Sequence, residues 1–227
     1  QAEDGIRDVE RSRGLGDVYK RQHINFIHPE VGKATVKILE AAGYEVEITN
    51  RKCCGRTMIS KGLLDDAKKN VNYNTKLLYD YVEKGIKIIG VEASCVSAMQ
   101  DEFPDLADEK EKAKKISENT FTVQDLLIQI QDDENQQINW NSLDKDLLLF
   151  VHCHERALNG TNNSLGSLNL PNKFNAKLID AGCCGMAGSF GMEKEHYEIS
   201  KKMAEDRLLP SIENSKENQE IIVTGIS

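Results

Sequence analysis

Residues 179–191 read I-D-A-G-C-C-G-M-A-G-S-F-G, and this stretch decides how the rest of the chain is interpreted. Two adjacent cysteines, Cys183 and Cys184, lie between a short apolar run and a segment of helical character. Glycines on both sides leave the backbone room to approach a bound group. A second Cys-Cys-Gly triplet stands at 53–55, so four of the six cysteines lie in such triplets. The pattern indicates a binding site.

Apolar periodicity predicts similar elements around each triplet. Helical spacing predicts a helix from Pro29, suited to a first turn, to the cap residue Gly43. Alternating and continuous apolar runs predict strands, and longer amphipathic runs predict further helices. In chain order, these are a strand over 44–49, a helix over 59–82, a strand over 87–91, a helix over 107–130, a strand over 147–151, a loop over 159–175, a strand over 176–181, a helix over 193–214 and a strand over 220–224.

Both halves therefore run strand, Cys-Cys-Gly, long helix, strand, which predicts a duplicated unit. Strands that alternate with helices favour parallel pairing with right-handed crossovers. We expect an α/β fold of two pseudo-symmetric, Rossmann-like repeats with mainly parallel strands. The first repeat is predicted at 23–130 and the second at 147–227, with the polar stretch 131–146 as a linker.

The cysteines are predicted to lie together because each follows the end of a predicted strand. In parallel sheets, ligands bind beyond the carboxyl ends of the strands. Thiolates select iron-sulfur clusters, zinc or copper(I). Adjacent cysteines fit one zinc ion poorly but reach different irons of a cluster, so a cluster is favoured over zinc. The candidate metal-binding and cofactor-binding residues are Cys53, Cys54, Cys95, Cys153, Cys183 and Cys184.

Other interpretations of the same residues stay open. Buried free cysteines would serve as small core residues, and disulfides are the minor alternative in a reducing compartment. Vicinal cysteines in particular would close a strained ring if they were bridged. His152 and His154 flank Cys153 and are expected to be hydrogen-bonding neighbours of a site, with His196 on a helix surface.

Charge and hydropathy exclude several classes of protein. The net charge of -8 and the pI near 5.3 argue against a nucleic-acid partner, because the chain has no basic stripe. No run approaches the 18 or more apolar residues that a membrane span needs, and the amino end lacks the pattern of a signal peptide. The expected location is the cytoplasm.

The two ends of the chain are interpreted separately. Residues 12–22, S-R-G-L-G-D-V-Y-K-R-Q, match the translation of a transposase sequencing adapter, so 1–22 is interpreted as non-native. The leading strand of the first repeat, expected at 16–22, would then be missing. At the other end, Ser227 aligns with Ser94, the residue before Cys95. This predicts that the natural chain continues with a cysteine and that the second repeat is truncated before it.

Four motifs resemble those of the cysteine-rich CCG domain family. They are K-C-C-G-R-T-M-I-S-K-G-L-L at 52–64, E-A-S-C at 92–95, H-C-H-E-R-A-L at 152–158 and D-A-G-C-C-G-M-A-G-S-F-G-M-E-K-E-H-Y-E at 180–198. This family includes the iron-sulfur subunit of glycolate oxidase, one subunit each of anaerobic glycerol-3-phosphate dehydrogenase and heterodisulfide reductase, and the iron-sulfur part of FAD-linked oxidases. The resemblance covers 23–227.

The resemblance implies an electron-transfer module of an FAD-linked oxidoreductase that acts on a small 2-hydroxy acid or glycerol 3-phosphate. It implies a 4Fe-4S cluster at Cys153, Cys183 and Cys184 and a second site at the first-half cysteines, where zinc is an alternative. FAD would belong to another domain or subunit, next to a ferredoxin-like iron-sulfur domain. Electrons would pass to a quinone or another carrier, and membrane association through a partner stays open.

Three consequences and two alternatives follow from the resemblance. The chain is expected to be part of a longer protein, not to be catalytic alone, and to act as a relay. One alternative function is a zinc-stabilised scaffold that docks the flavin domain without a redox role. The other is a disulfide reductase subunit of the heterodisulfide reductase type.

Overall fold

The computed structural model describes residues 28–132 and 138–225, together with the backbone of 17–18. The chain divides into two compact units, Gln1–Ile138 (unit 1) and Asn139–Ser227 (unit 2). The boundary falls inside the stretch predicted as a linker. Each unit contains parallel strands connected by helices, so the predicted α/β class with two repeats is confirmed.

Unit 1 is built on a three-stranded parallel sheet. Its strands are β1 (Asp17–Val18), β2 (Ile88–Gly90) and β3 (Thr120–Thr122), in the spatial order β1-β2-β3. The central strand β2 is buried, as its short apolar run predicts. β1 lies within the adapter-like stretch, at the place where the leading strand of the first repeat was expected.

Several helices of unit 1 pack against strands of this sheet. The longest is α3, whose residues Ala67, Val71, Leu78 and Val82 recur at helical spacing and are buried. The helices are α1 (Pro29–Ala41), α2 (Arg56–Ser60), α3 (Leu64–Glu83), α4 (Ala93–Ser97), a π-helical turn (Ala98–Glu102), α5 (Phe103–Leu106), α6 (Lys110–Glu118) and α7 (Val123–Gln131). Of these, α1, α4 and α7 pack against strands of the sheet.

Three predictions for unit 1 are wrong. The strand over 44–49 is reduced to a single bridging residue at 47, and Val46 and Thr49 are buried by packing. The helix over 59–82 is interrupted before α3 at Gly62, which has a φ of +73°. The helix over 107–130 contains β3, because Thr122 ends the strand and caps α7 in a capping box with Asp125.

Unit 2 has its own parallel sheet, in the order β5-β4-β6. β4 (Lys145–Phe150) pairs with both β5 (Phe174–Leu178) and β6 (Glu220–Val223). Leu147 and Leu149 of the central strand are buried. The connecting helices are α8 (Cys153–Leu158), α9 (Asn162–Leu168), a 3-10 turn (Phe190–Met192), α10 (Tyr197–Asp206) and α11 (Leu208–Glu213).

Unit 2 departs from the predictions in three places. The loop predicted over 159–175 contains α9, the strand predicted over 176–181 begins and ends earlier, and the helix over 193–214 breaks at Arg207. Arg207 has a φ of -141° and a ψ of -41°, outside helical geometry. The break divides one amphipathic run into α10 and α11.

Length alone does not make any described helix a membrane span. α3 has 20 residues but carries Asp65 and Asp66 in its first turn. Within residues 28–132 and 138–225, no helix is both long enough and apolar enough to cross a bilayer.

Candidate functional site

The six cysteines all lie in the described ranges as thiols outside any disulfide, but the two units expose them differently. In unit 1, Cys54 is buried, while Cys53 and Cys95 are partly buried. In unit 2, Cys153 and Cys183 are exposed and Cys184 is partly buried. The same Cys-Cys-Gly sequence therefore produces a buried set of thiols in one unit and an accessible set in the other.

The unit 2 cysteines lie beyond the carboxyl ends of two neighbouring strands. Cys153 begins α8 directly after β4, and Cys183 follows β5, which pairs with β4. The backbone N–H of Gly185 donates to Cys183 Sγ at 3.3 Å. An N–H donor of this kind stabilises a thiolate, which is the form of cysteine that binds metal.

The unit 2 cysteines influence one another electrostatically. Partial burial, followed by the negative charges of Cys184 and Cys183, raises the pKa of Cys153 above that of an ordinary thiol. Three thiolates at this place would repel one another. A bound cation would relieve that repulsion, because opposite charge favours the ionised thiols.

The Cys-Cys-Gly loop of unit 2 depends on a glycine. Gly185 has a φ of +84°, in the left-handed region that favours glycine. A Cβ atom at this position would overlap the backbone carbonyl of Ser200 in α10. The absence of a side chain therefore lets the loop pack directly on the backbone of the next helix.

Polar contacts from α8, α11 and the residue before α11 hold the start of this loop. The guanidinium of Arg207 forms an ion pair with Asp180, and both groups are at least half exposed. Ser211 Oγ donates to the Asp180 carbonyl at 2.6 Å, and the guanidinium of Arg156 donates to the Ala181 carbonyl at 3.3 Å. These contacts position the backbone immediately before Cys183.

The corresponding loop of unit 1 uses the same glycine geometry. Gly55 has a φ of +89°, and a Cβ atom there would lie 3.3 Å from the Cβ of Ala67 in α3. Ala67 stands on α3, the second helix after its triplet, and Ser200 stands on α10; both are buried. A small buried residue on a later helix is therefore a shared feature of the two loops.

Asn74 holds the unit 1 loop from the buried face of α3. Its side chain accepts a hydrogen bond from the Lys52 N–H at 2.7 Å and donates to the carbonyls of Lys52 and Cys53, each at 3.1 Å. Asn74 is fully buried. Sequence analysis missed it, although an asparagine in register with Ala67, Val71 and Leu78 is a signal that a polar group is needed there.

A second clamp joins the unit 1 loop to the segment that carries Cys95. The guanidinium of Arg56 donates two hydrogen bonds to the Glu102 carboxylate, at 2.5 and 2.7 Å. Its Nε atom also donates to the Ser94 carbonyl at 3.3 Å. Bidentate arginine pairs fix geometry as well as charge, so this clamp sets the position of Cys95 relative to the loop.

Cys54 and Cys95 are in direct contact, with Cys54 Sγ donating to Cys95 Sγ at 3.3 Å. A hydrogen bond with Cys53 lowers the pKa of Cys54. The hydrogen bond to Cys95 and burial outweigh that effect and raise the pKa of Cys54 to about 12. The bond from Cys54 lowers the pKa of Cys95, and the nearby Arg51 guanidinium adds to this effect. The contact therefore separates the pKa values of the two thiols, and Cys95 is the first of them to ionise.

The positions of the thiols in each unit can be compared with those that a metal ion or a cluster requires. Among residues 28–132 and 138–225, no three His, Cys, Asp or Glu side chains stand close enough to hold one metal ion. Cluster ligands bind different irons, so they stand farther apart than ligands of a single ion. The accessible thiols of unit 2 fit a cluster in donor chemistry, whereas the contact between Cys54 and Cys95 in unit 1 does not.

His152 links two strand ends beside Cys153. Its Nδ1 accepts from the His154 N–H at 3.3 Å, and its backbone N–H donates to Thr224 Oγ1 at 2.9 Å. A Cβ atom on Gly225 would lie 2.7 Å from the His152 ring. The histidine is thus a buried structural neighbour of Cys153, as a hydrogen-bonding role requires, while His196 stacks on Phe190 before α10.

The model of the cysteine-rich domain family matches residues 19–100 and 147–226, which is one match in each unit. The chain belongs to the cysteine-rich CCG domain family. The resemblance noted from the four motifs is confirmed. Each matched range includes all three cysteines of its unit.

Three relatives illustrate the family. The chain is 31% identical over 183 residues to a subunit of the anaerobic glycerol-3-phosphate dehydrogenase of Escherichia coli K12, covering 78% of this chain and 45% of that protein. It is 26% identical over 200 residues to lactate utilization protein A of Bacillus subtilis 168, covering 82% and 77%. It is 26% identical over 168 residues to D-2-hydroxyglutarate dehydrogenase of Pantoea ananatis, covering 73% and 16%.

The coverage differs between these relatives. The chain spans about half the length of the E. coli relative and a small part of the Pantoea protein. Two of the three are named as dehydrogenases or subunits of one.

Proposed function

We propose that the chain is the iron-sulfur electron-transfer part of an oxidoreductase system. The observation that carries this proposal is the placement of Cys153, Cys183 and Cys184 beyond neighbouring strand ends in a unit matched by the cysteine-rich family. A bound iron-sulfur cluster would supply one-electron transfer there. The unit 2 thiols would hold it, with the Gly185 N–H donating to Cys183.

The proposed substrate class comes from the relatives. Their names include glycerol 3-phosphate, lactate and 2-hydroxyglutarate, each a small anion with an oxidisable hydroxyl group. Oxidation of such a group releases two electrons, which a flavin accepts as a pair and passes on singly. We place the flavin on a partner domain or subunit, together with a ferredoxin-like iron-sulfur domain. This chain would relay electrons towards a quinone or another carrier and would not oxidise substrate alone.

Anaerobic reconstitution tests the cluster directly. The chain is incubated with iron and sulfide, with dithiothreitol present to fill any open iron position, and is then desalted. We expect broad absorbance near roughly 400 nm, iron and sulfide in equal amounts, and an electron paramagnetic resonance signal after reduction. Zinc bound in place of iron would favour the scaffold function instead, because zinc is silent in these measurements.

Variants assign the cluster to unit 2. Cys183→Ser and Cys184→Ser are each expected to abolish most of the bound iron, because iron would lose one of few thiolates. Cys95→Ser is the matched control in unit 1 and is expected to retain it. Iron content unchanged in both unit 2 variants would refute the assignment, whatever the activity of the complete system.

A further inference from the structure

The sulfur contact in unit 1 joins two elements that are distant in sequence. Cys54 lies in the loop before α2, and Cys95 lies in α4, 41 residues later. Cys54 is 1% exposed and belongs to the hydrophobic core, against which Cys95 also packs. The contact is therefore a feature of core packing that brings two thiols together.

The distance between these sulfurs distinguishes two kinds of site. Two thiolates on one tetrahedral zinc ion, each at about 2.3 Å from it, stand about 3.8 Å apart. The 3.3 Å between Cys54 Sγ and Cys95 Sγ is shorter than that. A disulfide bond measures about 2.0 Å, so the sulfurs would need to approach by about 1.3 Å.

The backbone on both sides of the pair is held by hydrogen bonds. Asn74 binds the carbonyl of Cys53, the residue before Cys54. Arg56 binds the carbonyl of Ser94, the residue before Cys95, while it also pairs with Glu102. The backbone next to each cysteine is thus fixed at a position where the two sulfurs are in contact.

We propose that Cys54 and Cys95 form a reversible disulfide, so that unit 1 carries a two-electron thiol switch separate from the cluster proposed for unit 2. The oxidant class is a hydroperoxide. Cys95 is the more exposed of the two, so its sulfur attacks the peroxide oxygen, becomes a sulfenic acid and releases water. The Cys54 sulfur then attacks the Cys95 sulfur, the S–S bond forms, and a second water leaves.

The overall reaction is balanced. Two thiols and one hydrogen peroxide give one disulfide and two waters, with two electrons passing from sulfur to oxygen. A small dithiol returns both electrons and both protons by exchange through a mixed disulfide. Cys53 remains a thiol, because a bond between adjacent cysteines would close a strained ring.

Peptide mapping tests the bond. The reduced, metal-free chain is treated with one equivalent of hydrogen peroxide, its remaining thiols are alkylated under denaturing conditions, and it is digested with trypsin. Cleavage after basic residues places Cys53 and Cys54 on the peptide 53–56 and Cys95 on the peptide 88–110. We expect these two peptides joined, at the sum of their masses less two hydrogens, and separated again by dithiothreitol.

Variants identify the sulfurs and keep the test valid if one of them folds poorly. Cys95→Ser and Cys54→Ser are expected to lose the joined peptides, whereas Cys53→Ser should retain them and leave no alkylated cysteine on the peptide 53–56. Mapping of the wild-type chain does not depend on any variant folding. The proposal is overturned by sulfinic acid at Cys95 without cross-linking, by a bond to Cys53, or by the absence of the joined peptides from the wild-type digest. Loss of the unit 2 cluster alone would leave this result unchanged.

Discussion

The two Cys-Cys-Gly loops share a backbone and differ in their surroundings. In each, a glycine with a φ near +85° packs against a small buried residue of a later helix. In unit 1 the loop is held by the fully buried Asn74, and in unit 2 the half-exposed Arg207 pairs with Asp180. A backbone motif can thus be retained while the environment of its cysteines changes from core to surface.

The glycines should give the largest difference between the loops. Gly185→Ala places a side chain against the Ser200 carbonyl in a left-handed conformation, so we expect unit 2 to lose about 3–4 kcal/mol of stability. Gly55→Ala meets only the Ala67 methyl group at 3.3 Å and should cost about 1–2 kcal/mol in unit 1. Urea unfolding followed by circular dichroism measures both. Equal losses would show that the helix backbone in unit 2 moves aside.

The side chains that hold the loops should give the second largest difference. Asn74→Ala removes three hydrogen bonds from a fully buried position, and we expect unit 1 to lose about 2–3 kcal/mol. Arg207→Ala removes a largely exposed ion pair and should cost less than about 1 kcal/mol in unit 2. The measurement is the denaturant midpoint of each unit. A larger loss for Arg207→Ala would reverse the comparison.

The clamp beside Cys95 should give a smaller effect. Glu102→Gln removes one charge of a pair whose side chains are 12% and 23% exposed, and we expect a loss of about 2 kcal/mol in unit 1. The matched control is Glu220→Gln, which breaks an exposed pair with Lys145 in unit 2 and should cost about 0.5 kcal/mol or less. Thermal unfolding at low and high salt separates the two, since only the exposed pair is strongly screened.

The pH dependence of unit 1 should show the smallest effect. The pKa of Cys54 is raised to about 12, so its contribution is full below the unfolded thiol pKa of about 8.5 and is lost as pH rises towards 12. The pKa of Cys95 is lowered, so its contribution is present above the unfolded value and is lost as pH falls. We expect the pair to stabilise unit 1 most near pH 9, and to lose about 1 kcal/mol by pH 10.

The double variant Cys54→Ala, Cys95→Ala is the control for that pH profile. Its stability, measured under reducing conditions without oxygen, should lack the maximum near pH 9. The lysines of unit 1 titrate in both chains, so the difference between the two profiles isolates the thiols. An identical profile in the double variant would show that the contact does not shift the pKa values of the two thiols.

The sequence by itself determined the repeat and the positions of the thiols along it. The apolar runs 87–91 and 147–151 each contain most of a strand, because buried parallel strands are continuously apolar. The range 220–224 contains β6, which is mostly exposed. The Cys-Cys-Gly motifs were sufficient to indicate the family. The strand predicted over 44–49 was wrong, since a local alternation does not supply the neighbouring strand that makes a ladder.

Only the tertiary structure decided which thiols are buried and which residues hold them. Asn74 reaches the backbone 22 residues away, Arg56 reaches Glu102 46 residues away, and Cys54 reaches Cys95 41 residues away. No local pattern encodes such contacts, because they depend on how α2, α3 and α4 pack around one core. The two triplets read alike in sequence, and their different burial arises from the residues that the fold places around them.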